Sequence, residues 1–408
     1  MNNYFADLHV HIGRAGNGAP VKITASTNLS VPNILRECVS RKGIDMVGIV
    51  DTSSPDVQED LIKLVQSGDL EAMENGGLLY RDSVTLVPGS EVETTECVYI
   101  DGKEQNRSAH CLCYFPGLDE MKQFTGELSK QGRTRNIGLS SQKCNMSIQE
   151  IVELAEQIGG IVVPAHAFTP HKGMYGSCVR SAMEIMSPEI WAKIPAVELG
   201  LSSDSNYADM ISELSGKSLI SNSDAHSLSK IGREYNVIRM RRPDYNELVM
   251  ALRRENGRSV IANHGFDPKL GKYHRTYCEG CGFTAHDEPP VMCCPVCGVV
   301  VDGRTVVKGV LDRIHEIRDN IAPMPPEHRP PYFHQIPLEN LPGIGKKTMD
   351  KLLQTASEMQ ILHHYSQKEL EKLAGCQAAE TIILARQGKL KVSAGGGGYY
   401  GRVEKRKR

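Results

Sequence analysis

The stretch Tyr4-Phe5-Ala6-Asp7-Leu8-His9-Val10-His11 alternates apolar and polar side chains with a period of two. That is the period of a half-buried β-strand, and it sets Asp7, His9 and His11 on one face. Further short apolar runs follow at residues 44–51, 85–91, 109–115, 160–166, 196–200 and 218–223. Amphipathic stretches at 32–41, 59–66, 147–158 and 205–214 lie between several of them. Strand, helix, strand at this spacing predicts an α/β barrel or a doubly wound sheet over residues 1–265, and seven strands favour the barrel.

The polar residues fall at the ends of these runs. Asp51 closes the second run and Glu91 the third; His110 opens the fourth; His166 closes the fifth; Asp224 and His226 follow the last. A single strand histidine is ordinary, but here nearly every run delivers an imidazole or a carboxylate. In a parallel barrel the C-terminal strand ends meet at one mouth, where such groups converge. Neutral imidazoles with carboxylates suit Zn²⁺, Mn²⁺ or Fe²⁺. Glu91 is the best candidate for a bridge, since its two oxygens can serve two ions. A pair of ions of this kind acts on phosphate esters. No nucleophile elbow, phosphate-binding loop or dinucleotide fingerprint competes with this reading.

The Asp-x-His-x-His opening, the Gly-Ser-Glu segment, the isolated strand histidines and the closing Ser-Asp-Ala-His resemble the PHP (polymerase and histidinol phosphatase) family. The resemblance implies a distorted (β/α)7 barrel acting on phosphate esters. It implies metal ligands at His9, His11, Glu91, His110, His166, Asp224 and His226, with Asp224, Glu91 and His226 central to catalysis. Two positions depart from the family pattern. Asp51 is followed by Thr52 where the family has Asp-His, and a further histidine is missing near Arg14. Two catalytic ions (Zn, Mn or Mg) are therefore expected, with Arg14 at the mouth to hold a phosphate oxygen.

Beyond the barrel, Cys278-x-x-Cys281 and Cys294-x-x-Cys297 each precede a glycine, Gly282 and Gly298. That spacing predicts a four-thiolate zinc ribbon over 270–305 holding one structural Zn²⁺. A helix and a Pro-rich linker are read at 306–337. The sequence Leu341-Pro-Gly-Ile-Gly-Lys-Lys-Thr348 then resembles a helix-hairpin-helix, followed by a weaker copy around Ala374-Gly375-Cys376. This small all-α module, 338–391, is expected to hold DNA backbone through Gly343, Gly345, Lys346 and Lys347. Residues 392–408, with a glycine run at 395–398, are read as a flexible basic tail.

Net charge is −2 over 408 residues, so charge alone does not announce nucleic acid; the basic end points that way only together with the hairpin before it. No apolar stretch is long enough for a membrane span, and the N-terminus has no signal-peptide pattern, so a cytoplasmic protein is expected. The order of barrel, ribbon and backbone grip resembles the DNA-repair nucleases of the PHP family, as do residues 18–24 and 329–338. That likeness implies cleavage 5′ of deaminated bases (uracil, hypoxanthine, xanthine) and abasic sites. It implies damaged DNA as partner, and leaves room for a sliding clamp or other repair protein beside it. The alternatives are a small-molecule phosphatase on the same barrel and a non-catalytic DNA-binding accessory protein.

Overall fold

The computed structural model describes residues 1–100, 102–130, 133–301, 305–395 and 398–403. Strand β1 (Asn2–Val10) pairs in parallel with β2 (Met46–Ile49), and β2 in parallel with β3 (Val84–Glu93). Next comes β4 (His110–Tyr114), antiparallel to both β3 and β5 (Ile161–Pro164). The Ala167 N–H donates to Glu198 O at 2.9 Å, linking β5 to β6 (Ala196–Glu198), which pairs in parallel with β7 (Ser218–Ile220). The ring closes where Val10 bridges Ala225 and where the Leu8 N–H donates to Asn222 Oδ1 at 3.0 Å. These are the seven strands expected, and the fold is a distorted (β/α)7 barrel.

The distortion is the reversed β4. In an all-parallel barrel, His110 at the start of its strand would sit at the wrong end. Because β4 runs backwards, its first residue lies at the mouth where the other strands finish.

Helices cover the ring. In α1 (Val31–Glu37), Pro32 sits in the first turn, where its missing N–H costs no hydrogen bond. Helix α2 (Pro55–Gln66) starts the same way, and α3 (Leu118–Leu128) follows β4. In α4 (Ile148–Gln157), Ser147 and Glu150 form a capping box, and Ile148, Ile151, Val152 and Ala155 make one buried stripe. The amphipathic stretch at 32–41 is not one helix. It passes into a π-turn, Cys38–Lys42, that stops at Gly43 (φ 75°).

Five further strands extend the sheet outside the ring: the short hairpin of Leu70–Ala72 with Leu78–Tyr80, the latter antiparallel to β3, and on the other side β8 (Tyr235–Met240) antiparallel to β1, β9 (Ser259–Gly265) antiparallel to β8, and β10 (Tyr332–His334) parallel to β9. The stretch read as a Pro-rich linker is thus attached to the barrel. Its Arg329 reaches Asp209 at 2.8 Å and donates to the carbonyls of Lys217 and Leu214. The helix read at the start of 306–337 begins only at Val310, as α5 (Val310–Ile317), because Val306–Val307 pairs with Tyr277–Cys278 to form the ribbon's sheet.

The C-terminal helices are α6 (Lys346–Thr355), α7 (Glu358–His363), α8 (Gln367–Ala374) and α9 (Cys376–Arg386). Leu352, Met359, Ile361, Leu370 and Ile382 join barrel residues Ile34, Leu35 and Ile44 in one buried cluster. A buried ion pair, Lys42 to Glu358 at 2.7 Å, lies within the contact. The residues after 391 are not a free tail as far as they are described. Val392–Ser393 pairs with Arg402–Val403, and the N–H groups of Gly395 and Gly401 donate to Lys269 O and Leu270 O. A Cβ on Gly401 would lie 2.2 Å from Ser393 O, so glycine there serves close packing rather than freedom. Gly396, Gly397 and the basic end, Lys405 to Arg408, lie outside the described residues.

Candidate metal centre and nucleic-acid grip

His9 and His11, two residues apart on β1, bring their Nε2 atoms within 3.3 Å of each other. Each is turned by a carboxylate behind it. His9 Nδ1 lies 3.1 Å from both oxygens of Glu198, and His11 Nδ1 lies 3.1 Å from Asp51 Oδ2. Those contacts take the Nδ1 protons and leave both Nε2 lone pairs facing one point. Two lone pairs so close are unfavourable unless a cation lies between them. Asp224 Oδ1 completes the group, 3.6 Å from His9 Nε2 and 3.3 Å from His11 Nε2.

A second group adjoins the first. His110 Nδ1 is 2.9 Å and His166 Nε2 3.3 Å from Glu91 Oε1. The same Oε1 is 3.6 Å from His9 Nε2, and Glu91 Oε2 is 3.6 Å from His11 Nε2. Glu91 therefore stands between the groups His9/His11/Asp224 and Glu91/His110/His166, each of which could hold an ion. Two residues of these groups, His166 (φ 29°) and Asp224 (φ 45°), have left-handed backbone, a strain found where a site fixes the chain. A Cβ on Gly200 would meet His166 Cβ at 2.9 Å, so glycine is required opposite that bend.

The electrostatics agree with a cation site. Burial alone would lower His9, yet the carboxylates of Glu198, Asp224 and Glu91 pull its imidazole up to about 10. Burial opposes ionisation of Glu91, but His110 and Lys22 hold it well below the usual carboxylate range. Buried carboxylates and clustered imidazole nitrogens make the donor chemistry of divalent Zn or Mn.

Other expected residues fall elsewhere. His226 stands beside the first group, its ring 4.8 Å from that of His11 and its Nδ1 3.5 Å from Asp224 Oδ1. Arg14 is not in the centre. It is exposed and donates to Gly18 O at 2.8 Å, because the chain leaves β1 outward there. Asp7 shares the face of His9 but lies deeper, accepting from the N–H groups of Ser223 and Gly232. Asp51 also accepts the Ile12 N–H at 2.7 Å, while Thr52 donates to Gly89 O.

Sequence reading missed four groups. Glu198 lies inside the apolar run at 196–200 and is the last residue of β6, a position akin to those that marked the candidate ligands. Lys22 Nζ donates to Glu91 Oε2 at 3.1 Å and to Ser141 Oγ at 2.6 Å; its segment, 18–24, was marked only by the resemblance, with no role given to Lys22. Ser140 and Ser141 arrive on the 116–146 insertion: Ser140 Oγ is 3.3 Å from His11 Nδ1, and Ser141 donates to Glu91. In that insertion Arg133 is tied to Glu127, whereas Arg135 and Lys143 are exposed. The centre opens into a cavity of 590 Å³ whose lining includes Lys172, Lys230, Arg233 and Lys272, a basic rim.

The four ribbon sulfurs, Cys278, Cys281, Cys294 and Cys297, lie within 4.8 Å of one another. Gly282 and Gly298 both have φ 73° and both return an N–H to the first cysteine of their pair, two equivalent knuckles. In the C-terminal module Leu341 and Ile344 are buried, whereas Gly343 (φ 82°), Gly345, Lys346 and Lys347 are exposed at the start of α6. Nothing lies within 4 Å of a Cβ placed on either glycine, so the turn is open to a close backbone approach. One 3-10 turn, Leu338–Asn340, stands where the first helix of this hairpin was expected; the second hairpin, α8 and α9 around Gly375 (φ 84°), has both helices.

A barrel with two adjoining groups that could each hold an ion and that meet at Glu91, with a four-cysteine ribbon and docked C-terminal helices, defines a metal-dependent PHP protein, and a family model described as PHP-associated matches residues 207–256. The uncharacterised Bacillus subtilis protein YqxK is 42% identical over 409 residues, covering 99% of this chain and 100% of that protein. The crystal structure of the lesion-specific endonuclease PfuEndoQ from Pyrococcus furiosus has a TM-score of 0.80 at 28% identity, over 99% of this chain and 95% of that one. Endonuclease Q in complex with a 27-mer duplex bearing an abasic lesion at the active site gives the same TM-score and identity, over 99% and 96%. The chain belongs to the endonuclease Q family, with YqxK as a full-length relative. Among the described residues no helix is long and apolar enough to cross a membrane.

Proposed function

We propose that this chain is a metal-dependent endonuclease of DNA repair that cuts the phosphodiester 5′ of deaminated bases (uracil, hypoxanthine, xanthine) and of abasic sites. The observation that carries the reading is Glu91 standing between two ligand groups, inside a fold matched along its whole length by a lesion-specific endonuclease. Two divalent ions held by His9, His11 and Asp224 and by Glu91, His110 and His166 would supply Lewis acidity at both the attacking and the leaving oxygen.

The chain's own residues do the rest. Lys172, Lys230, Arg233 and Lys272 meet the backbone phosphates at the mouth. Glu198 and Asp51 hold the β1 imidazoles in one tautomer. His226 lines the cavity and donates from Nδ1 to Asp224 O at 3.0 Å, which leaves its Nε2 lone pair free to take a proton from the attacking water. The exposed turn at Gly343 and Gly345 grips duplex backbone away from the cut. A lesion is turned out of the stack to be read, a step that costs less at a mispaired or missing base. The adjoining cavity of 340 Å³, walled by Phe266, Leu270, Ile336 and Tyr400, shares Lys230 and Arg233 with the metal cavity and is apolar enough to take a base.

The test uses end-labelled duplexes carrying one uracil, one hypoxanthine, one abasic site or none, with Mg²⁺ or Mn²⁺. A single nick 5′ of the lesion is expected, absent with Asp224→Ala and with undamaged duplex. No nick on any duplex, with turnover of a small phosphate ester instead, would overturn the reading.

A further inference from the structure

Lys22 is placed by backbone, not by chance. Its N–H donates to Ile12 O at 2.8 Å and the Val21 N–H to Gly13 O at 3.0 Å, which lays residues 21–22 along the continuation of β1. On the other side the Ser140 N–H donates to Val21 O at 3.0 Å. The side chain enters the metal centre with only 16% of its surface exposed, yet it lines the cavity. Its charge meets Glu91 Oε2, the oxygen turned away from His110 and His166.

An ammonium has three N–H donors and accepts nothing. Among the described residues Lys22 uses two, on Glu91 and Ser141. Asp51, the other carboxylate on this side, is already engaged by His11 and the Ile12 N–H. A buried ammonium with one donor unused, at the edge of a cavity built for phosphate, fits an anionic oxygen.

We propose that Lys22 is a catalytic residue that holds a non-bridging phosphoryl oxygen of the substrate beside Glu91. The phosphodiester substrate rests on the function proposed above; the anion contact does not. Negative charge grows on the phosphoryl oxygens as the bond breaks, so the contact strengthens in the transition state.

The experiment compares the full chain with Lys22→Met and Lys22→Gln, each loaded with Mn²⁺. Metal content is read by elemental analysis, binding of inorganic phosphate by calorimetry, and nicking of abasic duplex by kcat and KM. Expected are an unchanged metal count, phosphate affinity lower by about tenfold or more, and kcat lower by about a hundredfold with KM for DNA little changed. The glutamine variant keeps a hydrogen-bonding group beside Glu91 without the charge, so it shows the same loss if charge is what matters. Unchanged phosphate affinity in either variant, or loss of barrel metal in step with activity, would overturn the proposal. If the unaltered chain nicks no duplex while both variants still lose phosphate affinity, the DNA reading fails and the anion contact stands.

Discussion

Glu198 holds three parts of the centre at once. It orients His9, accepts the His166 N–H at 2.7 Å and accepts from Asn222 Nδ2 at 2.7 Å. Carboxylates behind a ligating imidazole fix its tautomer and raise its basicity, and their loss costs about 10–100-fold in metal affinity. Glu198→Gln should weaken barrel binding by that factor in chelator competition while the ribbon ion, 4-cysteine bound, stays as internal reference. Equal retention by both sites would show that Glu198 only fills space. At this scale the residues that converge on the centre were legible because each lies at the end of an apolar run, where a charged or imidazole side chain needs a reason. Lys22 and Ser141 carried no such signal. They lie in irregular segments, and only the fold brings them within 3.1 Å and hydrogen-bonding reach of Glu91.

Among the elements, the seven barrel strands were readable from periodicity because each is short, apolar and buried. Strand β8 was not, since Asn236 and Arg239 interrupt its apolar pattern and its pairing with β1 lies outside the ring. The π-turn after α1 was equally hidden; its role emerges only in the contacts of Arg41 with Asp350 and Lys42 with Glu358. For the grip, Lys346 and Lys347 stand at the exposed start of α6, where the helix dipole also favours phosphate. Replacing both by alanine should weaken binding to damaged and undamaged duplex alike, and lower the slope of log affinity against log salt by about one per lysine. Fluorescence anisotropy across a salt series reads this. A loss confined to damaged duplex would place these lysines at the lesion instead.

Across the whole molecule, the C-terminal module is held to the barrel by an aromatic and histidine junction as well as by apolar packing. Tyr235 stacks on His264 at 4.9 Å and lies 2.6 Å from His363 Nε2, and Gln335 accepts from Tyr235 OH at 2.8 Å. Burial lowers His264 to about 4; burial and then the charges of His264, His364 and Arg386 lower His363 to about 3. Both are neutral when docked but protonate near 6.5 when released. Their contribution is complete above pH 6.5 and is lost as pH falls from there toward 4 and 3. The hydrogen-exchange protection of residues 346–386, relative to the intrinsic rate at each pH, should therefore fall over that window, ahead of that of β1 to β3. Uniform protection down to pH 4 would contradict the assignment. This docking was not legible beforehand, because a Pro-rich stretch reads as a spacer until its partner strand is known. The reversed β4 carries one more consequence. The connection from β3 to β4 both leaves and re-enters the barrel at the catalytic mouth, and among its described residues it forms a hairpin, Glu96–Ile100 with Lys103–Arg107. Such an arm can be lengthened, shortened or exchanged without threading the core, so it is the natural graft point for redirecting which nucleic acid reaches the ions.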